Sequence, residues 1–143
     1  MPKMIFVNLP VTNLDRSIAF YEAIGGTKNA QFSNEQAAAI VLSDSIYVML
    51  LTHNFYKTFT SKEIIDAHKT SGVLLALSCE SKVDVDAMID KAASAGGKSD
   101  PGPKQDFGFM YGRSFEDPDG HHWEPHWMDM AAAPQHADSL EKA

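Results

Sequence analysis

Eleven residues near the end of the chain, DPDGHHWEPHW (Asp117–Trp127), concentrate the groups best suited to chemistry. Asp-Pro-Asp-Gly reads as a tight turn, because proline pre-sets the first turn dihedral and glycine tolerates a positive one. The residues that follow read as a strand. Alternate strand residues share a face, so His122, Glu124 and His126 would look into one space. Such a group can ligate a metal, move a proton, or simply form a polar edge.

Geometry limits the first option. His122 and His126 stand roughly 13 Å apart along a strand rising ~3.3 Å per residue, and metal–nitrogen bonds span only about 2.1 Å. At most Glu124 pairs with one of them, and a third donor must come from elsewhere, with Asn8 and His53 as the candidates. For proton transfer, Glu124 would serve as general base and His122 or His126 as its helper, since a carboxylate in an apolar cup is raised in pKa by desolvation. The plainer reading is that Glu124 orders the cup by hydrogen bonding to Asn8 or His126, and that both histidines are hydrogen-bonded or solvated strand residues. Arg113, just before the turn, would face an anionic ligand or pair at the surface with Glu116 or Asp117. Cys79, flanked by apolar residues, reads as a small core residue rather than a nucleophile.

The elements that must position these groups recur. MIFVNLPV (Met4–Val11) alternates as a strand. NLDRSIAFYEAIGG reads as a helix capped by Asn13, with Leu14, Ile18 and Tyr21 on its buried stripe and Gly25–Gly26 as its stop. VLLALSC and SKVDVDAMIDKAASAGG repeat that pattern, with Ser81 as cap and Val85, Met88 and Ala92 as stripe. Gly25 and Gly96 stand 71 residues apart, and that spacing carries Asn8 onto Cys79. Strand-like runs follow each pair: AAAIVLS and IYVMLL in the first half, FGFMYGRSF and the DPDG-led strand in the second. A duplicated strand–helix–strands unit results, over residues 1–52 and 72–130 of one domain, 1–130. Residues 53–71 form a helical insertion in which Thr60 and Glu63 suggest a capping box, and 131–143 read as a mobile tail.

Each helix covers one face of its sheet, and that face should be the apolar one. Trp123, Pro125 and Trp127 take this role on the last strand, and Ile5, Val7 and Leu9 on the first. The opposite face then collects Phe6, Asn8, Tyr47, Met49, Leu77 and Glu124, an apolar and aromatic lining with one polar group, as small-molecule pockets are built.

The chain has 143 residues and a formal charge of −7. No basic cluster stands out, which sets nucleic acid aside as a partner. No apolar run approaches the ~20 residues of a membrane span. The N-terminus lacks a signal-peptide pattern, and a single cysteine suits a reducing cytoplasm.

IFVNLPVTNLDRSIAFY and RSFEDPDGHHWE, at the two ends of a duplicated unit, resemble the vicinal oxygen chelate superfamily of glyoxalase I, bleomycin-resistance and extradiol-dioxygenase proteins. VMLLTH and the following insertion look most like a bacterial glyoxalase-like branch labelled predicted lactoylglutathione lyase. The resemblance implies an α+β fold of two tandem βαβββ modules whose sheets curl into a cup, often completed by dimerisation, here a homodimer. It also implies metal ligands on the first and last strands of each module, at Phe6, Met49, Leu77 and Glu124. Only Glu124 could ligate, so a zinc, nickel or manganese ion is expected only if neighbouring donors rebuild the site. The functional expectation is a glyoxalase-like lyase or isomerase acting on a small carbonyl or oxygenated molecule. The alternative is a metal-free protein that sequesters a small ligand, as bleomycin-resistance members do.

Overall fold

The computed structural model describes residues 3–131, so the tail expected to be mobile lies outside the described residues from position 132 onward. The duplication is plain in the strand order. In the first module β1 (Ile5–Val11) leads to α1 (Leu14–Ala23), β2 (Thr27–Asn29), β3 (Ala37–Val41) and β4 (Ile46–Thr52), with a 3₁₀ turn at Ala30–Phe32. These strands lie in the order β1-β4-β3-β2, with β1 and β4 parallel and the others antiparallel.

After α2 (His53–Tyr56), the second module runs β5 (Leu74–Ser78), α3 (Lys82–Ser94), β6 (Lys98–Ser99), β7 (Gln105–Asp106), β8 (Met110–Gly112), β9 (Phe115–Glu116) and β10 (His122–Met128). β5 is parallel to β10, which pairs antiparallel with β8 and β9, and these pair with β7 and β6. The order is that of the first module, with two strands each broken in half. FGFMYGRSF, expected as one strand, is interrupted at Arg113–Ser114, where Asp100 N donates to Ser114 O and Gly102 N to Ser114 Oγ. Paired α+β modules are thus the fold.

Both helices start where their caps predict. Asn13 accepts from Arg16 N and Ser81 from Asp84 N, each satisfying an orphan amide of the first turn. The capping box at Thr60 does not form a helix. Thr60 Oγ1 accepts from Lys62 N in a local turn, and the insertion's one helix is α2, capped by Thr52.

One core joins the two modules through their helix-covered faces, and Phe20, Tyr21 and Ile40 of the first pack with Ile89, Phe115 and Trp123 of the second. Tyr21 Oη donates to Asp117 Oδ2 (2.6 Å) and accepts from Trp123 Nε1 (3.0 Å). Asp117 Oδ1 also accepts from the backbone amides of Asp119 and His121, each at 2.9 Å. Asp119 reaches back to module one, accepting from Thr12 N (3.0 Å) and Thr12 Oγ1 (2.8 Å). The Asp-Pro-Asp-Gly turn is therefore the polar joint between the repeats. Burial pushes the Asp117 carboxyl above the usual carboxylate range. It also raises the Tyr21 phenol well above its ordinary value, aided by the Asp117 charge.

Candidate functional site: two half-cups

With the helices packed inward, the other face of each sheet is open. In module one the parallel register sets Phe6 beside Tyr47 and Asn8 beside Met49, as alternation requires. The Phe6 and Tyr47 rings stack at 4.7 Å with planes 14° apart. They form the floor of a cavity of about 570 Å³ that Met4, Asn29, Phe32, Ala39 and Met49 complete. Phe6 is half exposed there. Asn8, expected as a partner for Glu124, instead donates from Nδ2 to Phe6 O (3.1 Å).

Glu124 lies elsewhere. Its cavity, of about 230 Å³, belongs to module two and is lined by Ala76, Gln105, Met110, His126 and Met128, among others. His122 Nε2 stands 3.1 Å from Glu124 Oε2, whereas His126 approaches only the Glu124 carbonyl, Nδ1 to O at 3.5 Å. Of the two histidines expected as helpers, His122 is the one paired with the carboxylate. Glu124 is 43% exposed, so the apolar burial expected around it is not supplied within one chain. The single cup expected from the repeat is thus two half-cups that share no lining residue.

Leu77 does not face Glu124's cavity. The register sets it opposite buried Pro125, and it packs against the core. Ala76 stands opposite Glu124, and Leu74 and Ser78 share that face. The error has a physical source. The second helix spans 13 residues against 10 in the first, so a spacing read after the helices is three too long before them. An odd shift flips every strand residue to the other face. Measured between the N-caps Asn13 and Ser81, the spacing carries Phe6 onto Leu74 and Asn8 onto Ala76.

Arg113 lines the Glu124 cavity, as expected of it, with its guanidinium already engaged by two carboxylates. Its Nε and NH2 donate to both oxygens of Asp100 (3.0 and 2.6 Å), and NH1 donates to Asp86 Oδ1 (2.9 Å). This fork holds the Asp100 carboxyl below the usual range and raises the guanidinium further, while Asp86 is lowered first by the Tyr111 hydroxyl, which donates to it at 2.6 Å, and then by Arg113. Its ion-pair partners are thus Asp86 and Asp100, not Glu116 or Asp117. His53, the other candidate donor for a rebuilt metal site, opens α2 and lines a third cavity beside Arg16.

Sequence reasoning misses Gln105, Met110 and Met128 beside Glu124, and Met4, Asn29 and Phe32 in the first half-cup. The alternation of QDF after a Pro/Gly run is a signal for Gln105, and nothing in composition singles out the others. The donor set does not fit the family's metal ion. Phe6, Met49 and Leu74 offer no strong donor beside Glu124, and among the described residues no three of His, Cys, Asp and Glu are placed to hold a metal ion. No helix among the described residues is long and apolar enough to cross a membrane.

Two curled βαβββ sheets with open faces and a carboxylate on the final strand define a class, and the sequence profile of that class matches residues 3–124. The chain belongs to the Glyoxalase/Bleomycin resistance protein/Dioxygenase superfamily. Among solved structures it is similar to a hypothetical protein, SA1046 from S. aureus, at 24% identity, covering 89% of this chain and 94% of that one with a TM-score of 0.74. A glyoxalase/bleomycin resistance protein/dioxygenase family enzyme from Burkholderia phytofirmans shares 16% identity over 89% and 99%, TM-score 0.71. The fosfomycin resistance protein FosX from Mesorhizobium loti shares 13% over 94% and 98%, TM-score 0.67. At these identities the likeness is one of fold. No curated protein matches the chain.

Proposed function

We propose that the protein is a glyoxalase-like enzyme of lyase or isomerase type acting on a small carbonyl or oxygenated molecule, with Glu124 as base and His122 as its proton partner. One observation carries the reading: a carboxylate that lines a cavity, with an imidazole nitrogen 3.1 Å away at the edge of the neighbouring cavity beside the insertion. Glu124 would take the proton from a carbon beside a carbonyl, and the C–H electrons would pass to the carbonyl oxygen. On an α-hydroxy carbonyl, His122 would protonate that oxygen to give an enediol. Glu124 would then return its proton to the former carbonyl carbon while the α-hydroxyl gives its own proton to His122 and becomes the new carbonyl, which completes an isomerisation. No step is routed through a metal, because the donors at the family positions do not fit one. The lactoylglutathione lyase label therefore draws no support from these residues.

The homodimer belongs to the same proposal. Each half-cup is open on one side, and β1 and β5 are unpaired sheet edges. Ile5, Phe6, Phe32, Val73 and Leu74 are all at least half exposed, an apolar surface that monomers rarely leave open. A two-fold arrangement would set the aromatic half-cup of one chain over Glu124 of the other. That would supply the flat apolar wall and the burial that a single chain lacks.

A panel of small aromatic and α-oxygenated carbonyl compounds, screened by thermal shift and then for turnover by NMR, tests the reading. Glu124→Gln should lower turnover roughly 10²–10⁴-fold, the usual scale for a general base, with binding largely retained. Binding without turnover in wild type would sink the enzyme and favour a sequestering protein, which the stacked Phe6–Tyr47 floor also suits. Complementation tests the shared cup. Mixing and refolding Glu124→Gln with Phe6→Asp, each inactive alone, should restore about a quarter of wild-type activity, because random assortment gives one intact cup in each mixed dimer. A cup built within one chain would show no recovery.

A further inference from the structure

The insertion after β4 closes over a cavity separate from both half-cups. Residues 65–68 fold onto the Asp117–Gly120 turn so closely that a Cβ on Gly120 would stand 2.6 Å from His68 N and 2.7 Å from the Ala67 carbonyl carbon. His68 Nε2 meets Pro118 O (3.1 Å) and His121 Nε2 meets Pro10 O (2.8 Å). A carbonyl oxygen only accepts, so both rings donate from Nε2. Between these contacts lies a cleft of about 480 Å³, lined by Pro10, Arg16, His53, Ile64, Ile65 and Asp119 among others.

The polar groups of this cleft are unevenly engaged. Asp119 is occupied on both oxygens, accepting from Thr12 and from Ser17 Oγ (3.4 Å), with Arg16 NH2 at 3.7 Å. Asp66 Oδ1 holds the His68 amide (3.1 Å). The donors are freer. Arg16 gives one hydrogen bond, NH2 to Thr12 Oγ1 (2.9 Å), leaving Nε and NH1 unpartnered among the described residues, and its side chain is 46% exposed. The His53 imidazole makes no hydrogen bond to a described residue, and it begins α2 on the far side of the same cleft. Ile64, Ile65 and Pro10 add an apolar wall. A planar guanidinium with free N–H groups is built for an oxyanion, and the wall calls for hydrocarbon attached to it.

We propose that this cleft is a second ligand site, taking a small organic oxyanion whose carboxylate or phosphate group engages Arg16 and His53 while its apolar body rests on Ile64 and Ile65. Because the lining comes from α1, the insertion and the Asp117–Gly120 turn, the ligand would brace the joint between the modules. The site stands independently of the Glu124 half-cup.

The test follows His53 ring resonances by NMR in the full chain, titrated in parallel with butyrate, inorganic phosphate and uncharged n-butanol up to tens of millimolar. Saturable shifts with either anion, and binding at least tenfold weaker for n-butanol, are expected. Tighter binding of butyrate would assign a carboxylate ligand, and tighter binding of phosphate a phosphate ester. Arg16→Gln should weaken the anion at least tenfold, read from Ile64 and Ile65 methyl shifts. His53→Gln should do the same and keeps the test decisive if the Arg16 variant fails to fold, since no hydrogen bond among the described residues depends on the His53 ring. No saturable shift, equal binding of n-butanol, or shifts confined to residues around Glu124 would each overturn the proposal.

Discussion

Asp117→Ala is expected to destabilise the protein by about 3–5 kcal/mol. The change strands three buried donors at once, each worth roughly 1–3 kcal/mol when left unpaired and less than additive within one network. The donors are Tyr21 Oη and the amides of Asp119 and His121. Asp117→Asn keeps an oxygen for both amides and should cost less than half as much. Urea unfolding of the three proteins, followed through Trp123 and Trp127 fluorescence, measures the difference. Equal losses for Ala and Asn would mean that the charge, and not the acceptor geometry, holds the joint.

The same network fixes a pH dependence. Tyr21 has a folded pKa raised well above its ordinary value of 10.0, so the unfolded chain loses this proton first. Stability from Tyr21 is therefore complete below about pH 10 and falls as pH rises beyond it, by about 1.4 kcal/mol per unit until the native phenol also ionises. Asp117 is raised too, so the folded state holds its proton more tightly than the unfolded one. That contribution is present at acid pH and disappears as pH rises through the folded value. Asp100, lowered by Arg113, and Asp86, lowered by Tyr111 and then Arg113, act in the opposite sense, losing their contribution as pH falls below the ordinary carboxylate range. Tyr21→Phe should remove its share of the alkaline slope, leaving the part that the raised Tyr111 phenol contributes, and should move the Asp117 limb to higher pH, because the Tyr21 hydroxyl is one of the groups that hold that carboxyl down.

What can be read from the chain follows the reach of each signal. Caps and alternation are local, so Asn13, Ser81 and the shared face of Phe6, Asn8, Tyr47 and Met49 are legible residue by residue. The duplication is legible as well, but its phase is not. A three-residue difference in helix length lies between the two landmarks, and it decides whether Leu77 is assigned to the open face or to the core. Arg113 is hidden for another reason. Its partners Asp100 and Asp86 are contributed by a loop and by α3, and no local pattern announces a pairing across a module. The separation of the half-cups is a property of how two modules pack, decided by which faces carry Phe20, Tyr21, Phe115 and Trp123. Counting ligand positions along the sequence brings Phe6 and Glu124 together, whereas packing the helices inward parts them.

The Gly-Gly pairs show how two identical letters hold different positions, and they give the other large expected effect. Gly25 and Gly96 have φ of 112° and 101°, and a Cβ added at either would meet nothing within 4 Å. Each ends its helix in the left-handed region, so Gly96→Ala should cost about 1 kcal/mol, the penalty of that conformation less a small gain from the unfolded chain. Gly97 differs. A Cβ there would lie 2.3 Å from Glu116 O, 2.8 Å from Phe20 Cε2 and 3.0 Å from Ala92 O. It sits where the end of α3, β9 and helix α1 of the other module converge, and two of those neighbours are backbone that cannot swing aside. Gly97→Ala should therefore cost at least about 3 kcal/mol, the upper end for overpacking, and should open the contact between modules as well as the helix end. Gly26, with Ile40 Cγ2 at 2.5 Å and Tyr21 O at 2.9 Å, repeats the arrangement in module one. Chemical denaturation of Gly96→Ala and Gly97→Ala side by side decides the matter. If both lose about the same stability, the second glycine is only part of a helix stop, and the close approach of the two modules does not depend on it.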